Sequence, residues 1–295
     1  FDAREMMRTD SNFTSAKINF PELQRLADEK LTPLLTPGAI IITQGFIGSD
    51  KRGITTTLGR GGSDLSAALI GAAIAADEIL IYTDVSGIAS ADPRIIPNAR
   101  SIPEMSFAEA RELSFYGAKV LHPETILPAV ERDIPVRVLN TFAPDDAGTI
   151  IVAKASREHG ICAVTLKKKC ISISATGLNS KQSVDFFRNV NELSNELYAA
   201  ALGESKCFAV IDAPSDTSAL DRLYQQIPHI DIQDTTLLCG VGIGLHGELV
   251  AHFSKAVSSF KPLAVLFGVS EVGLIALLPP ELAEGALRAV HEIIS

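Results

Sequence analysis

The segment Thr55-Thr56-Thr57-Leu58-Gly59-Arg60-Gly61-Gly62-Ser63-Asp64 leads straight into an Ala- and Leu-rich run ending at Glu78, and then into the apolar Ile79-Leu80-Ile81-Tyr82-Thr83. Loop, helix and strand are thus packed into fewer than thirty-five residues, which commits this part of the chain to an α/β arrangement. The loop sets one fixed cation among glycines at the mouth of a helix. Such glycines let backbone N–H groups approach a charged oxygen, and the positive end of the helix faces the same point. Ser63 and Asp64 are expected to cap that helix. Arg60 offers a bidentate fork for a carboxylate or a phosphate. The same residues, taken alone, also describe a surface turn.

Elsewhere the pattern continues. Pro21 to Leu35 reads as an amphipathic helix with Leu23, Leu26, Ala27 and Leu31 on one face. Ala39 to Thr43 reads as a short buried strand, and Ile79 to Thr83 as a second that ends in the polar pair Thr83-Asp84. In open α/β sheets, ligands sit at such carboxyl ends. Ser106-Phe107-Ala108-Glu109 fits a capping box that opens a helix toward Gly117. Pro123 to Arg132 reads as a further helix before a strand over Ile134 to Leu139. A covered, largely parallel sheet follows from this alternation.

The polar stretch Ala153 to Gly160 reads as a linker. Beyond it the order changes to strand (Cys170 to Ala175), helix (Ser180 to Leu193) and two strands (Glu196 to Leu202, Lys206 to Asp212). A similar set follows: Thr236 to Val241, Gly247 to Ser259, Pro262 to Gly268, Val272 to Leu278 and a closing helix over Pro280 to Ile294. Two such units in tandem follow the ferredoxin-like grammar.

A length of 295 residues suggests about two domains, and 46% apolar against 21% charged residues describes a globular chain. The net charge of −9 argues against nucleic acid or an anionic membrane as the main partner. No apolar run is long enough to span a bilayer. Cys162, Cys170, Cys207 and Cys239 lie far apart, without metal-ligand spacing, and read as buried apolar residues of a reducing, cytoplasmic protein. No metal site is expected.

Several ordered blocks across residues 1 to 152 carry a resemblance. They are Arg8-Thr9-Asp10-Ser11-Asn12-Phe13, Gly45-Phe46-Ile47-Gly48, the Arg60 loop, and Thr83-Asp84-Val85-Ser86-Gly87-Ile88 with Ala91-Asp92-Pro93-Arg94. Tyr116-Gly117-Ala118-Lys119-Val120-Leu121-His122-Pro123 and Ile134-Pro135-Val136-Arg137-Val138 complete the set. In this order they resemble the aspartate kinase family, of the lysine-sensitive kind. The resemblance implies the C-terminal portion of a three-layer αβα amino-acid-kinase domain over 1–152 and a linker over 153–160. Two ferredoxin-like ACT domains would follow, the first over 170–234 and the second combining 161–169 with 235–295. The family's lysine- and glycine-rich N-terminal phosphate block has no counterpart here, so the chain is expected to be a fragment.

The implied reaction is phosphoryl transfer from ATP with Mg²⁺ to the β-carboxylate of L-aspartate, the first step of lysine, threonine and methionine biosynthesis through diaminopimelate. By the same resemblance Arg60 grips an aspartate carboxylate, with Phe46, Thr57 and Ser63 shaping the pocket, and Asp64 orients a lysine or serves as a plain helix N-terminal acid. Thr83, Asp84, Ala89, Arg94, Lys119 and Val120 form the ATP side, Lys119 neutralising phosphate oxygens. Ala89 stands where lysine-sensitive relatives often have a tyrosine near the adenine. Asn179, Ser180, Tyr198 and Glu204 are candidate contacts for an amino-acid effector, Tyr198 standing where an acid often meets lysine. A homodimer through the ACT domains is expected. Two other readings stay open at this point: an inactive regulatory or dimerising fragment, and a kinase for another amino acid such as glutamate or acetylglutamate.

Overall fold

The computed structural model describes residues 1–118, 123–194, 196–204, 206–215, 218–227 and 229–294. The chain forms two compact units. The first comprises residues 1–90, 98–115 and 119–158, and the second residues 91–97, 116–118 and 159–295.

In the first unit, α1 (Phe20–Leu26) starts at Asn19, whose side chain accepts the Glu22 N–H, and runs on through a π turn, Ala27–Leu31, and a 3₁₀ turn, Thr32–Leu34. Leu23, Leu26, Ala27 and Leu31 are buried together against Met6, Met7 and Leu69, as their spacing requires. β1 (Ile47–Ser49) and β2 (Thr55–Thr57) form an antiparallel pair, and α2 (Gly62–Ala73) follows. β3 (Ile79–Thr83), β4 (Glu104–Ser106), α3 (Phe107–Phe115), α4 (Leu127–Val130), β5 (Val136–Asn140) and β6 (Thr149–Val152) complete the unit. The sheet order is β3-β5-β6-β4. β3 runs parallel to β5 and β4 parallel to β6, while β5 and β6 are antiparallel, so the sheet is mixed.

The expected box at α3 forms. The Ser106 N–H and hydroxyl both donate to Glu109 Oε2, at 2.9 and 2.7 Å, and the Glu109 N–H returns to Ser106 Oγ at 3.3 Å. Glu109 is buried and also pairs with Arg157 of the segment after β6, whose other Nη donates to the Glu104 carbonyl.

Ala39 to Thr43 does not form the expected buried strand. Ile40 and Ile42 are 89% and 81% exposed, because among the described residues no strand pairs with this segment. β3 buries Ile79 and Ile81 but leaves Leu80 and Tyr82 exposed, so one face of its end of the sheet is open.

In the second unit, the stretches expected as separate strands over 161–169 and 170–175 are one 17-residue strand, β7 (Gly160–Thr176). Lys169 interrupts its regularity with φ 61°. α5 (Ser180–Asn191), β8 (Leu197–Leu202), β9 (Lys206–Asp212), α6 (Ser218–Gln226), β10 (Ile230–Ile243), α7 (Glu248–Ser258), β11 (Ala264–Leu266), β12 (Gly273–Leu278) and α8 (Ala283–His291) follow. All six strands join one antiparallel sheet in the order β11-β12-β10-β7-β9-β8. β7 is the shared strand. Its first half pairs with Leu237–Ile243 of β10, and its second half with Ile230–Thr235 of β10 and with β9. Phe186 and Val190 of α5 pack on Ile171, Ile173 and Ile211, with Leu223 of α6 in the same cluster. All four cysteines are buried, and none forms a disulfide among the described residues. No helix among the described residues is long and apolar enough to cross a membrane.

Candidate functional site

The opening block of the chain builds the wall behind the glycine loop, a role that reading it as a motif did not assign. The hydroxyls of Thr9 and Thr56 meet at 2.7 Å in the interior, Arg8 Nη1 donates to Ser49 Oγ at 2.6 Å, and Ser11 donates to Asp50 at 3.1 Å. Asp50 is buried. Burial works against its charge, but N–H groups of Ile54 and Arg52, the Arg52 side chain and Ser11 outweigh that and hold it below the usual carboxylate range. The N–H and hydroxyl of Thr57 both donate to the Phe13 carbonyl at 3.0 Å, which fixes β2 where the loop begins.

The loop turns at Gly59 (φ 82°) and Gly61 (φ 67°), both in the left-handed region that other residues enter at a cost. Gly61 is the residue that caps α2, and among the described residues no side chain caps the helix. The expectation that Ser63 and Asp64 cap it is therefore corrected. They are the second and third helical residues, because a serine or aspartate cap needs extended backbone and the chain enters here left-handed. As a result, the N–H groups of Ser63 and Asp64 meet no acceptor among the described residues, and the positive end of a twelve-residue helix stays open.

Phe46 faces this helix end. Its backbone has φ 71°, uncommon for an aromatic residue. It is held there by its N–H donating to Ser66 Oγ at 2.8 Å and its carbonyl accepting from Leu58 N–H at 2.9 Å. The ring lies over Gly62, where any Cβ would come within 2.6 Å of Phe46 Cδ2. Arg60 and Ser63 are exposed, and Arg60 has no acidic partner or hydrogen-bond acceptor among the described residues. Asp64 is half-buried and equally unpaired, and burial pushes its carboxyl above the ordinary range. One unengaged guanidinium, two open N–H groups, one exposed hydroxyl and one strained aromatic residue thus share a single loop and helix start.

Thr83 and Asp84 lie at the carboxyl ends of β3 and β5, as expected. The Thr83 hydroxyl donates to Asp84 Oδ1 at 3.2 Å, and the Thr83 carbonyl accepts the Thr141 N–H at 2.8 Å. Three residues that sequence reading missed join them. Asn140 Nδ2 donates to Ser86 Oγ at 3.0 Å, and Ser86 donates in turn to Asp146. The signal available for them was slight: Asn140 ends an apolar strand and Ser86 follows the Thr83-Asp84 pair. Ala89 is half-buried and forms an isolated bridge with Ser101.

Arg94 belongs to the second unit, where it is exposed and forks onto Asp92 at 2.6 Å; this bond holds the Asp92 carboxyl below its usual range. Lys119 and Val120 lie outside the described residues.

The four effector candidates do not come together. Asn179 caps α5 with a full box, its Oδ1 accepting from Gln182 N–H at 3.0 Å and its N–H donating to Gln182 at 2.9 Å; Ser180 and Glu204 are exposed nearby in sequence from the Thr176–Lys206 end of the β7–β9 pair. Tyr198 is buried at the opposite end, beside the Cys170–Asp212 pairing. By strand register this separates it from the others by roughly 20 Å. Its hydroxyl donates to Asp212 Oδ2 at 2.9 Å, and Lys167 stands 4.8 Å above its ring while pairing with Asp212 at 2.9 Å. Burial, with that carboxylate beside it, pushes the Tyr198 hydroxyl up to about 12. Tyr198 is thus spent on internal packing.

A profile of the amino acid kinase family matches residues 1–140. Lysine-sensitive aspartokinase 3 of Escherichia coli (strain K12) is 35% identical over 316 residues, covering 99% of this chain and 68% of that protein. The chain belongs to the aspartokinase family. Aspartokinase 1, chloroplastic, of Arabidopsis thaliana is 31% identical over 99% of the chain and 55% of its own length, so the chain spans between about half and two thirds of these two relatives. Among solved structures, E. coli aspartokinase III in complex with lysine and aspartate superposes with a TM-score of 0.84 at 32% identity, covering 100% of this chain and 68% of that one. The aspartate kinase of Clostridium acetobutylicum gives 0.88 at 27%, with 100% and 70% covered. The fold is accordingly that of aspartokinases: an α/β kinase portion followed by ACT-like regulatory units.

Proposed function

We propose that this protein is an aspartate kinase, transferring the γ-phosphoryl group of ATP to the β-carboxylate of L-aspartate to give 4-phospho-L-aspartate, the entry step to lysine, threonine and methionine. The observation that carries the reading is Arg60, without a partner among the described residues, between two left-handed glycines ahead of the open N-terminus of α2. A guanidinium and free N–H groups are suited to a carboxylate. Family membership, and a relative whose solved complex holds aspartate and ADP, support the same choice of substrates.

A carboxylate nucleophile has a reference pKa of about 3.9 and is ionised at neutral pH, so the acceptor needs no general base. What must be overcome is repulsion between two anions, which makes positioning and positive charge the means of catalysis. Arg60 and the Ser63 and Asp64 N–H groups hold the acceptor, and Phe46 limits the pocket. Thr83 and Asp84 receive the nucleotide. Mg²⁺ enters as the counter-ion of ATP; among the described residues no three carboxylate, imidazole or thiol groups gather to form a cage for it. Asp64, raised by burial and without a cation beside it among the described residues, suits an acid that awaits one.

We assign residues 1–152 to the kinase portion, 153–160 to a linker, 170–234 to a first ACT unit and 161–169 with 235–295 to a second. The division of β7 between two sets of partners supports this partition. An amino-acid effector and homodimerisation through the ACT units belong to the proposal, as does a cytoplasmic location, which four cysteines without a disulfide among the described residues favour. An aspartyl hydroxamate assay on the full-length protein, with aspartate, glutamate and acetylglutamate as acceptors, tests it. Turnover with aspartate alone is expected, and turnover with another acceptor or none refutes it.

A further inference from the structure

The tips of β3 and β5 carry an aromatic ring that the site as described does not use. Phe142 is 83% exposed, yet its backbone is held in place. Its N–H donates to Asn140 Oδ1 at 2.9 Å, the other end of the same amide donates to Ser86 Oγ at 3.0 Å, and the preceding Thr141 N–H is bound to the Thr83 carbonyl at 2.8 Å. Solvent exposure of this degree leaves an apolar face open, while three hydrogen bonds keep its stem beside Thr83.

The charges at this tip indicate which part of a nucleotide belongs there. Its polar groups are Thr83, Asp84, Ser86, Asn140 and Asp146, and none of the five is a cation. Asp84 spends one oxygen on the Thr83 hydroxyl, and Asp146 accepts from Ser86. Two carboxylates repel phosphate but accept hydrogen bonds from ribose hydroxyls and exocyclic amines. The open N-terminus of α2 and the Arg60 loop have the opposite character.

Resting on the nucleotide reading above, we propose that the β3–β5 tip takes the nucleoside end of ATP and that Phe142 is the platform on which the purine stacks. Every base presents a π face, and an aromatic side chain held in the open binds it without other demands.

Calorimetric titration of the full-length protein with ADP and, separately, with inorganic tripolyphosphate tests this, using Phe142→Ala and Phe142→Tyr. Loss of a stacking partner should weaken ADP binding about 5- to 100-fold in Phe142→Ala. Tripolyphosphate binding should stay unchanged, and Phe142→Tyr should restore ADP affinity. Circular dichroism spectra that overlay wild type guard against misfolding. If Phe142→Ala binds ADP as wild type does, or weakens both probes equally, the stacking role is overturned while the nucleotide reading stands. If the wild-type protein binds no ADP, both are overturned.

Discussion

The ring of Phe46 occupies the space that a side chain at Gly62 would need, with a Cβ there standing 2.6 Å from Phe46 Cδ2. The first turn of α2 and the strained backbone of Phe46 are therefore set by one another. Gly62→Ala must push the ring off the helix end at a cost of about 1–3 kcal/mol. Thermal denaturation should register that loss. Steady-state kinetics should show a raised aspartate KM with the KM for ATP little changed.

Asp64 gives a pH-dependent prediction. Burial without a partner raises its carboxyl pKa in the folded state. Below the unfolded value the group is protonated in both states and costs nothing. As pH rises from about 4 through the folded value, the unfolded chain ionises first and stability falls. Asp64→Asn removes this penalty, so the gain in melting temperature over wild type should be larger at pH 7 than at pH 3. An equal gain at both values would contradict the assignment.

Glu109 is fully buried, caps α3 and pairs with Arg157. Removing one member of a buried ion pair strands the other, at about 3–5 kcal/mol. Glu109→Ala should lower the urea midpoint accordingly, and the double variant Glu109→Ala with Arg157→Met should recover part of the loss.

The cysteines should be inert. All four are buried, and burial pushes the Cys170 thiol up to about 12. Titration with an aromatic disulfide reagent at pH 8 should find no reactive thiol in the folded protein and four after denaturation.

Much of this fold was legible because the signals were local. Ile79–Thr83 and Lys206–Asp212 carry β-branched and apolar runs bounded by polar breaks, and both are strands with those bounds. The Ser106 box is written in four residues. What depends on distant partners was harder to read. Ala39 to Thr43 has strand composition, but a strand needs a neighbour, and Ile40 and Ile42 face solvent. β7 looked divided because three successive lysines, Lys167, Lys168 and Lys169, interrupt its apolar pattern where its partners change. α6 and the first half of β10 carry little signal because their residues are mainly polar, although Leu223 is buried. In the site, Arg60 and the Thr83-Asp84 pair were found from their loops. Asn140, Ser86 and Asp146 needed the fold to bring them together, and the cap of α2 was misplaced because a left-handed entry cannot be told from Gly-Gly-Ser-Asp.

Arg60→Ala in the full-length protein, assayed as aspartyl hydroxamate formation with aspartate and ATP varied in turn, decides whether this guanidinium holds the acceptor. Loss of a charged partner worth roughly 2–5 kcal/mol should raise the aspartate KM by at least about thirtyfold, with the KM for ATP close to wild type. An aspartate KM unchanged by the substitution would contradict the account.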